Sequence, residues 1–581
     1  MVTKRCKVLS LGLGATLLLG TSIGMGSQQY HALAESLTSD EHAQKAHLTT
    51  SHGWSNDLQT IVWNEAQHYY DIYFLHSADG ATEPFGHQGQ DWYHTTTSDF
   101  VHYTEQSSAL AAKGGDAQEG WTSAWTGSIV TNDGSITGAP QGAKVAYFTG
   151  IRKTDQKQNI YAAYSDDDGK NFNHVLNDGK PVADINDSDT VAGRHSDFRD
   201  PNVFYWKGKM MMYVAEGSEI GVYQSKDGLS WSKADQEGKS KIESGSFFQG
   251  RSWEGNSPVE CPVIETMSTP SGQAKQVLFF GAKDASSGET TGTYYIVGHL
   301  DDNGLFVPDK DVSRLDQGSD YYGANFTGSD HIDTVNNSIK SLGWVGNWNY
   351  FTNGVHSDQE ANSAYAQRLG SYSSARSLSL QNDLTIKQNL ELPQSSLTNT
   401  ESYSNISKDN PISEKGEKWV DRQDTNGDVY GLYDIPNQYA TKYYNLTFSN
   451  SKGNYFGRIY LDIWQGSDYV RFNYDPSNGK YNVKQYAAEL NNAMNGQTAS
   501  SYYYNGLLGN GNGYIADSGL TNQQSINLQI VTDNSSVEFI FPNGQTYTVS
   551  RFNTSQKQDF KIFTEDPTDA NSVDIQISDI Q

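Results

Sequence analysis

One short pattern recurs along the first half of the chain and limits what it can fold into. It is a strand-like run, a polar turn and an aromatic residue. "YSDDDGKNF" (Tyr164–Phe172) matches "YQSKDGLSW" (Tyr223–Trp231), and "TTSDFVHY" (Thr96–Tyr103) is a looser copy. Their serines Ser98, Ser165 and Ser225 are 67 and 60 residues apart. A period of roughly 60–70 residues is about one four-stranded propeller blade with its loops. Ordinary hairpins sharing turn chemistry are the other reading. Around the copies lie "HYYDIYFLH", "KVAYFTGI", "NIYAAYS", "KMMMYVAEG", "QVLFFGA" and "TYYIVGHL", separated by Gly, Asp and Asn. Aromatic and β-branched runs of this length read as strands. Helical periodicity is scarce, and "YNVKQYAAELNNAMNG" (Tyr481–Gly496) is the most helix-like stretch. The expectation is an all-β chain with a five-bladed β-propeller over residues 45–395, since about five such units fit there.

The polar stretch "QSSLTNTESYSNISKDNPISEKGEK" (Gln394–Lys418) has no periodicity and reads as a linker, placed at 396–414. Alternating segments follow, including the hairpin "FPNGQTYTV" with its Asn543-Gly544 turn. They predict a β-sandwich over 415–581. At the other end, Lys4, Arg5 and Lys7 precede an apolar run from Val8 to Met25 and an Ala32-Leu33-Ala34 cleavage signature. Residues 1–34 therefore read as a signal peptide, and the protein as secreted, with no membrane attachment after cleavage. Cys6 leaves with that segment, so Cys261 is the one cysteine retained and no intramolecular disulfide is expected. Cys261 lies in no zinc-ligand spacing. The net charge of −27 argues against nucleic acid and anionic lipid as partners.

Three carboxylates stand at the starts of strand-like runs: Asp57 in "GWSND", Asp200 in "FRDPNVFYW" and Glu260 in "VECPVIETM", spaced by 143 and 60 residues. In a propeller the innermost strand of every blade starts at the central channel, so such residues converge. A glycosidase needs two carboxyl groups flanking the scissile bond. Each residue taken alone also fits a turn or a loop end.

In this order the motifs resemble glycoside hydrolase family 32, the β-fructosidases, over most of the mature chain. "GWSND" is similar to the family's W-x-N-D-P-N-G element. "WYHTTTSDFVHY" is similar to its W-G-H-x-x-S-x-D-L-x-H-W element. "WTGS" (Trp125–Ser128), "FRDP", "ECP", "DQGSDYYGANF" (Asp316–Phe326) and "GWVGNWNY" (Gly343–Tyr350) follow in family order. The resemblance implies a propeller followed by a sandwich, no cofactor and no metal, and a fructan or fructo-oligosaccharide substrate. It implies Asp57 as nucleophile, Glu260 as acid/base and Asp200 as transition-state stabiliser. Arg199 would hold a hydroxyl or carboxylate in register. Trp54, Asn56, Trp125, Asp320, Tyr322 and Trp344 are the further substrate-binding candidates. A monomer is expected.

Two departures bear on the substrate. Leu58-Gln59-Thr60 replaces the family's Pro-Asn-Gly after the nucleophile, which implies a changed turn. Leu75 or His76 stands where a glutamine is common. Both look more like the levan-directed branch than like invertases, as does the "AEGSEIGVY" ending of the Asp200 segment. The readings carried are a retaining fructan hydrolase and a fructosyltransferase on the same scaffold. A sialidase is suggested by "SDDDGKNF", but it needs a tyrosine nucleophile and an arginine cluster. A non-catalytic fructan-binding protein would fit Leu58 as a mark of decay. "DTNGD" (Asp424–Asp428) resembles the start of a calcium loop, but Ile435 takes the acidic twelfth place, so it reads as a turn.

Overall fold

The computed structural model describes residues 43–50, 53–78, 89–113, 121–151, 157–184, 197–242, 259–282, 292–348, 370–413, 429–486 and 515–581 except 554 and 567. The expected signal peptide and the "DTNGD" turn lie outside them.

Five antiparallel sheets follow one another from Ser55 to Leu390, four of them four-stranded and the fourth carrying a short fifth strand, Ser313–Arg314. Their first strands are Ser55–Asn64, Ser123–Thr131, Arg199–Trp206, Val259–Ser268 and Tyr322–Phe326. Each of these inner strands touches the next, and the fifth returns to the first, so the sheets close into a five-bladed propeller. The strands are buried on both faces because each blade packs against two others. That explains near-continuous apolar runs such as Lys209–Glu216 in place of strict alternation. A separate apolar core fills each gap between blades. Tyr147 meets Met212 between the second and third, and Phe279 meets Phe326 between the fourth and fifth. Between the fifth and first, Trp344 meets Trp54 and Phe74.

The recurring turn follows the third strand of the first three blades. Ser165 Oγ accepts the Gly169 N–H at 2.8 Å, and Ser225 Oγ accepts that of Gly228 at 2.9 Å. In the first blade the equivalent hydroxyl is Thr97, which accepts the Phe100 N–H at 2.8 Å. Ser98, which the repeat spacing matches to the other serines, is not the equivalent residue. A threonine hydroxyl closes the turn as well as a serine.

The remaining strands form a sandwich of one six-stranded and one seven-stranded sheet sharing one core. Two expectations are corrected here. The stretch placed as a linker contains the strand Leu397–Ile406, which pairs with Asn571–Ile580 at the edge of the six-stranded sheet. Of its ten residues only Ile406 is buried, so backbone hydrogen bonds hold it and no apolar pattern marks it. The helix-like stretch begins as the strand Lys480–Tyr486, with Tyr481, Val483 and Gln485 buried in alternation, and its later part lies outside the described residues.

Propeller and sandwich meet over buried charge. Arg376, with no exposed surface, donates to Asp316 and Glu538, both at 2.7 Å, and to the hydroxyls of Thr546 and Thr548. His47 bridges Asp533 at 2.7 Å and Glu538 at 3.0 Å. Burial opposes a charge on His47, but the two carboxylates outweigh it and raise its pKa to about 9. Burial likewise opposes ionisation of Glu538, yet His47 and Arg376 bring it down to about 2. The loop before the fifth inner strand is zipped onto the sandwich strand Thr546–Ser550. Gln317 N–H reaches Thr546 O, Thr548 N–H reaches Asp316, and Ser550 N–H reaches Asp320.

Two stability measurements follow. Arg376→Met removes the cation shared by two buried carboxylates and should cost about 3–5 kcal/mol by chemical denaturation; a loss below 1 kcal/mol contradicts the role given to the cluster. His47 holds its proton to about pH 9 when folded but only to 6.5 when unfolded. Its contribution is therefore complete below pH 6.5 and fades as pH rises through 9. The stability gap between the wild type and His47→Gln should shrink over that range, and a gap independent of pH refutes the assignment.

Candidate active site

All five inner strands lose register near their start. The shifts fall between Ser55 and Thr60, Ala124 and Gly127, Arg199 and Asn202, Glu260 and Val263, and Tyr322 and Asn325. An extra residue in one strand kinks it and re-aims a side chain. The shifts contain Asp57, Trp125, Asp200, Cys261 and Gly323. Asp200 and Cys261 take positive φ angles of 61° and 50°, sparsely populated for residues with a side chain. Each precedes a proline, which has no N–H to give to the interrupted ladder. The prolines of "RDP" and "ECP" thus belong to a repeated structural break that turns acidic residues to the channel.

The three carboxylates are gathered and mostly shielded from solvent. Cys261 N–H donates to Asp200 Oδ2 at 2.9 Å. Its thiol lies 3.7 Å from the same oxygen and 3.8 Å from Asp57 Oδ2. Burial, and then the charges of Asp200, Asp57 and Glu260, push this thiol well above its ordinary pKa, so it remains an S–H donor between two carboxylates. Arg199 clamps Glu260, with Nη2 at 2.7 Å and Nε at 3.3 Å from Oε1. Its Nη1 reaches Asp197 at 2.5 Å and Gln158 at 3.2 Å. The guanidinium is thus spent on the acid/base candidate. The Tyr322 hydroxyl donates to the other oxygen, Oε2. Burial and the Glu260 charge push Tyr322 well above its usual value, which keeps it a donor.

The other candidates fall into two groups. Asn56 stands directly behind Asp57, and its Oδ1 accepts from Trp54 Nε1 at 3.2 Å and Gln90 Nε2 at 3.0 Å. Trp54 and Trp344 are fully buried, edge to face at 6.1 Å, and back the nucleophile strand. Neither offers a ring face to a sugar. Trp125 is half-buried in the second blade's bulge. Among the described residues, the contacts of Asp320 run to the sandwich. Its carboxylate accepts from Ser319 and from Ser550 N–H on the sandwich. It is a tether between domains, a role invisible without knowing what packs there.

The Leu58-Gln59-Thr60 departure makes no turn at all, because the residues continue the inner strand. Leu58 is buried in core. Gln59 donates to Asp57 O at 2.8 Å and accepts from Gly127 N–H at 3.1 Å, joining the first two blades. Gly323 (φ 49°) was not singled out from sequence; a Cβ there would overlap the Asp57 carboxylate. The Cys261 thiol was also missed, although its place inside "ECP" is a signal. Among the described residues no group of three or more His, Cys, Asp or Glu side chains is arranged to hold a metal ion.

Comparison with known proteins agrees with this architecture. Residues 47–390 match the glycosyl hydrolases family 32 N-terminal domain, and 394–579 match the glycosyl hydrolases family 32 C terminal domain. The levanbiose-producing levanase of Bacillus subtilis is 30% identical over 313 residues, 53% of this chain and 54% of that protein. That of Geobacillus stearothermophilus is 30% identical over 299 residues, 50% of this chain and 66% of that protein. The alignments thus span between about half and two thirds of these relatives. The structure of a fructofuranosidase from Schwanniomyces occidentalis complexed with fructose superposes with a TM-score of 0.68 at 20% identity, over 94% of this chain and 99% of that one. With both domain descriptions matched across nearly all the described residues, the chain belongs to glycoside hydrolase family 32.

Proposed function

We propose that the protein hydrolyses the β-fructosidic bonds of a fructan, levan foremost, with retention of configuration. The observation that carries this reading is the convergence of Asp57, Asp200 and Glu260 on the bulges of three inner strands, with a protonated thiol between the first two and the Glu260 charge acting on it. Retaining hydrolysis needs a nucleophile and an acid/base on opposite sides of the scissile bond. Asp57 attacks C2 of the fructosyl unit while Glu260 gives a proton to the departing oxygen, and a fructosyl ester of Asp57 forms. Water then gives a proton to Glu260 and attacks C2, which frees Asp57. Arg199 holds one oxygen of Glu260, so the oxygen shared with Tyr322 exchanges the proton. Asp200 binds fructose hydroxyls as positive charge builds on the ring. The two levanases support levan over inulin and sucrose as principal substrate. The basic, apolar N-terminal segment supports secretion.

Product analysis on levan, inulin and sucrose tests the assignment. Fructose or short fructo-oligosaccharides should appear from levan first, and no release from any of the three refutes it. Longer fructosylated products in place of free sugar would mean transfer to a sugar hydroxyl. Asp57→Ala and Glu260→Ala should each lower kcat by at least ~10³-fold.

Gly323→Ala should abolish most turnover while leaving the protein folded, because the added methyl displaces the Asp57 carboxylate. Normal turnover in that variant would contradict the placement of Asp57.

A further inference from the structure

The ring of inner strands has a second end. Beyond the catalytic bulges, the later residues of all five inner strands and the loop after the fifth enclose a cavity of about 290 Å³. Glu265 lies in it, five residues past Glu260 on the same strand, or about 16 Å along an extended chain. The extra residue at the Glu260–Val263 register shift resets the alternation of side chains, so both glutamates can turn to the channel.

Glu265 is an unusual group to bury. It is 6% exposed, and its Oε2 has no hydrogen-bond partner among the described residues. The backbone N–H of Ser329 supports the carboxyl. Gly328 presses so close that a Cβ would overlap it. Burial, with the charge of Asp330 adding to it, pushes the group up to about 8, so at neutral pH it carries a proton and can both donate and accept. Buried polar atoms are rarely left unsatisfied without a function or a bound molecule. Trp63, 41% exposed, stands at the edge of the cavity with its ring held against Tyr70 and its Nε1 on Glu65.

We propose that this second cavity is a binding site for a small neutral polyol, a monosaccharide or sugar alcohol, with Glu265 as its buried hydrogen-bonding partner and Trp63 as its apolar wall. The volume lies at the small end of ligand pockets. Hydroxyls, which donate and accept at once, match a protonated carboxyl. Anions are opposed by Asp330. Lys144 in the wall, and the lack of a metal-ligand cluster among the described residues, disfavour a metal ion. The site is independent of the reaction assigned to the catalytic end.

Isothermal titration with D-fructose separates the two ends. Asp200→Ala weakens the catalytic pocket, and one saturable fructose site per chain should survive in it. Adding Glu265→Leu to that variant should weaken binding at least ~10-fold, whereas Glu265→Gln, whose amide also donates and accepts, should keep it. A cooperative thermal transition checks that each variant folds. If Glu265→Leu does not, Trp63→Ala in the same background should weaken binding several-fold. Loss of all binding in Asp200→Ala alone, or unchanged binding in the second-cavity variants, overturns the proposal. So does a midpoint raised by calcium chloride through Glu265 without any fructose binding.

Discussion

The buried guanidinium of Arg376 and the carboxylates around it hold the molecule in its working form. Asp316 comes from the propeller and Glu538 from the sandwich, so one cation pulls both domains onto a shared point. Such a cluster is costly to desolvate, and its value lies in pairing both terminal nitrogens of the guanidinium with carboxylates. The loop Asp316–Asp320 is fixed by it and leads directly into the strand that carries Tyr322 and Gly323. Those two residues touch Glu260 and confine Asp57. The sandwich therefore reaches the reacting groups through the strand that carries Tyr322 and Gly323.

The five-fold loss of register is the second organising feature. A regular inner strand would alternate its side chains between the two neighbouring blades and leave the channel with backbone. Breaking the ladder near the start of each inner strand releases a side chain towards the axis. The energetic cost sits in the left-handed backbone of Asp200 and Cys261 and is met by the packing of residues around them. The same break lets a single strand serve both ends of the channel, as Glu260 and Glu265 do on the fourth blade.

Much of this was legible in the sequence, for identifiable reasons. The blades announce themselves because a serine or threonine hydroxyl and an aspartate close the same turn in successive copies. The three carboxylates were legible because each stands at the start of an apolar run and their motifs follow one another in the order of the family, whereas each alone reads as a turn or loop end. What failed depended on partners distant in sequence. Leu397–Ile406 is held by backbone pairing to the chain's end, so its exposed side chains look like a linker. Asp320 has the surroundings of a site residue in one dimension and a sandwich amide in three. Trp54 and Trp344 are sugar-platform residues by type, but each covers the other. The departure at Leu58-Gln59-Thr60 alters no turn, so what it says about the substrate must act through the walls of the channel.

His47 and the strands it touches have a consequence for how the molecule is made. The residue lies near the start of the described chain, and its two partners, Asp533 and Glu538, lie 486 and 491 residues later. The segment after it also lies along the fifth blade, where Tyr372 N–H meets Leu48 O, before the chain enters the first. Contacts of such long sequence separation form slowly, because loop entropy must be overcome before they repay it. The sandwich strands Ser525–Asp533 and Ser536–Ile540 must therefore be synthesised before His47 can find its charged partners. Until those strands exist, the seam between the fifth blade and the first lacks the carboxylates that hold His47.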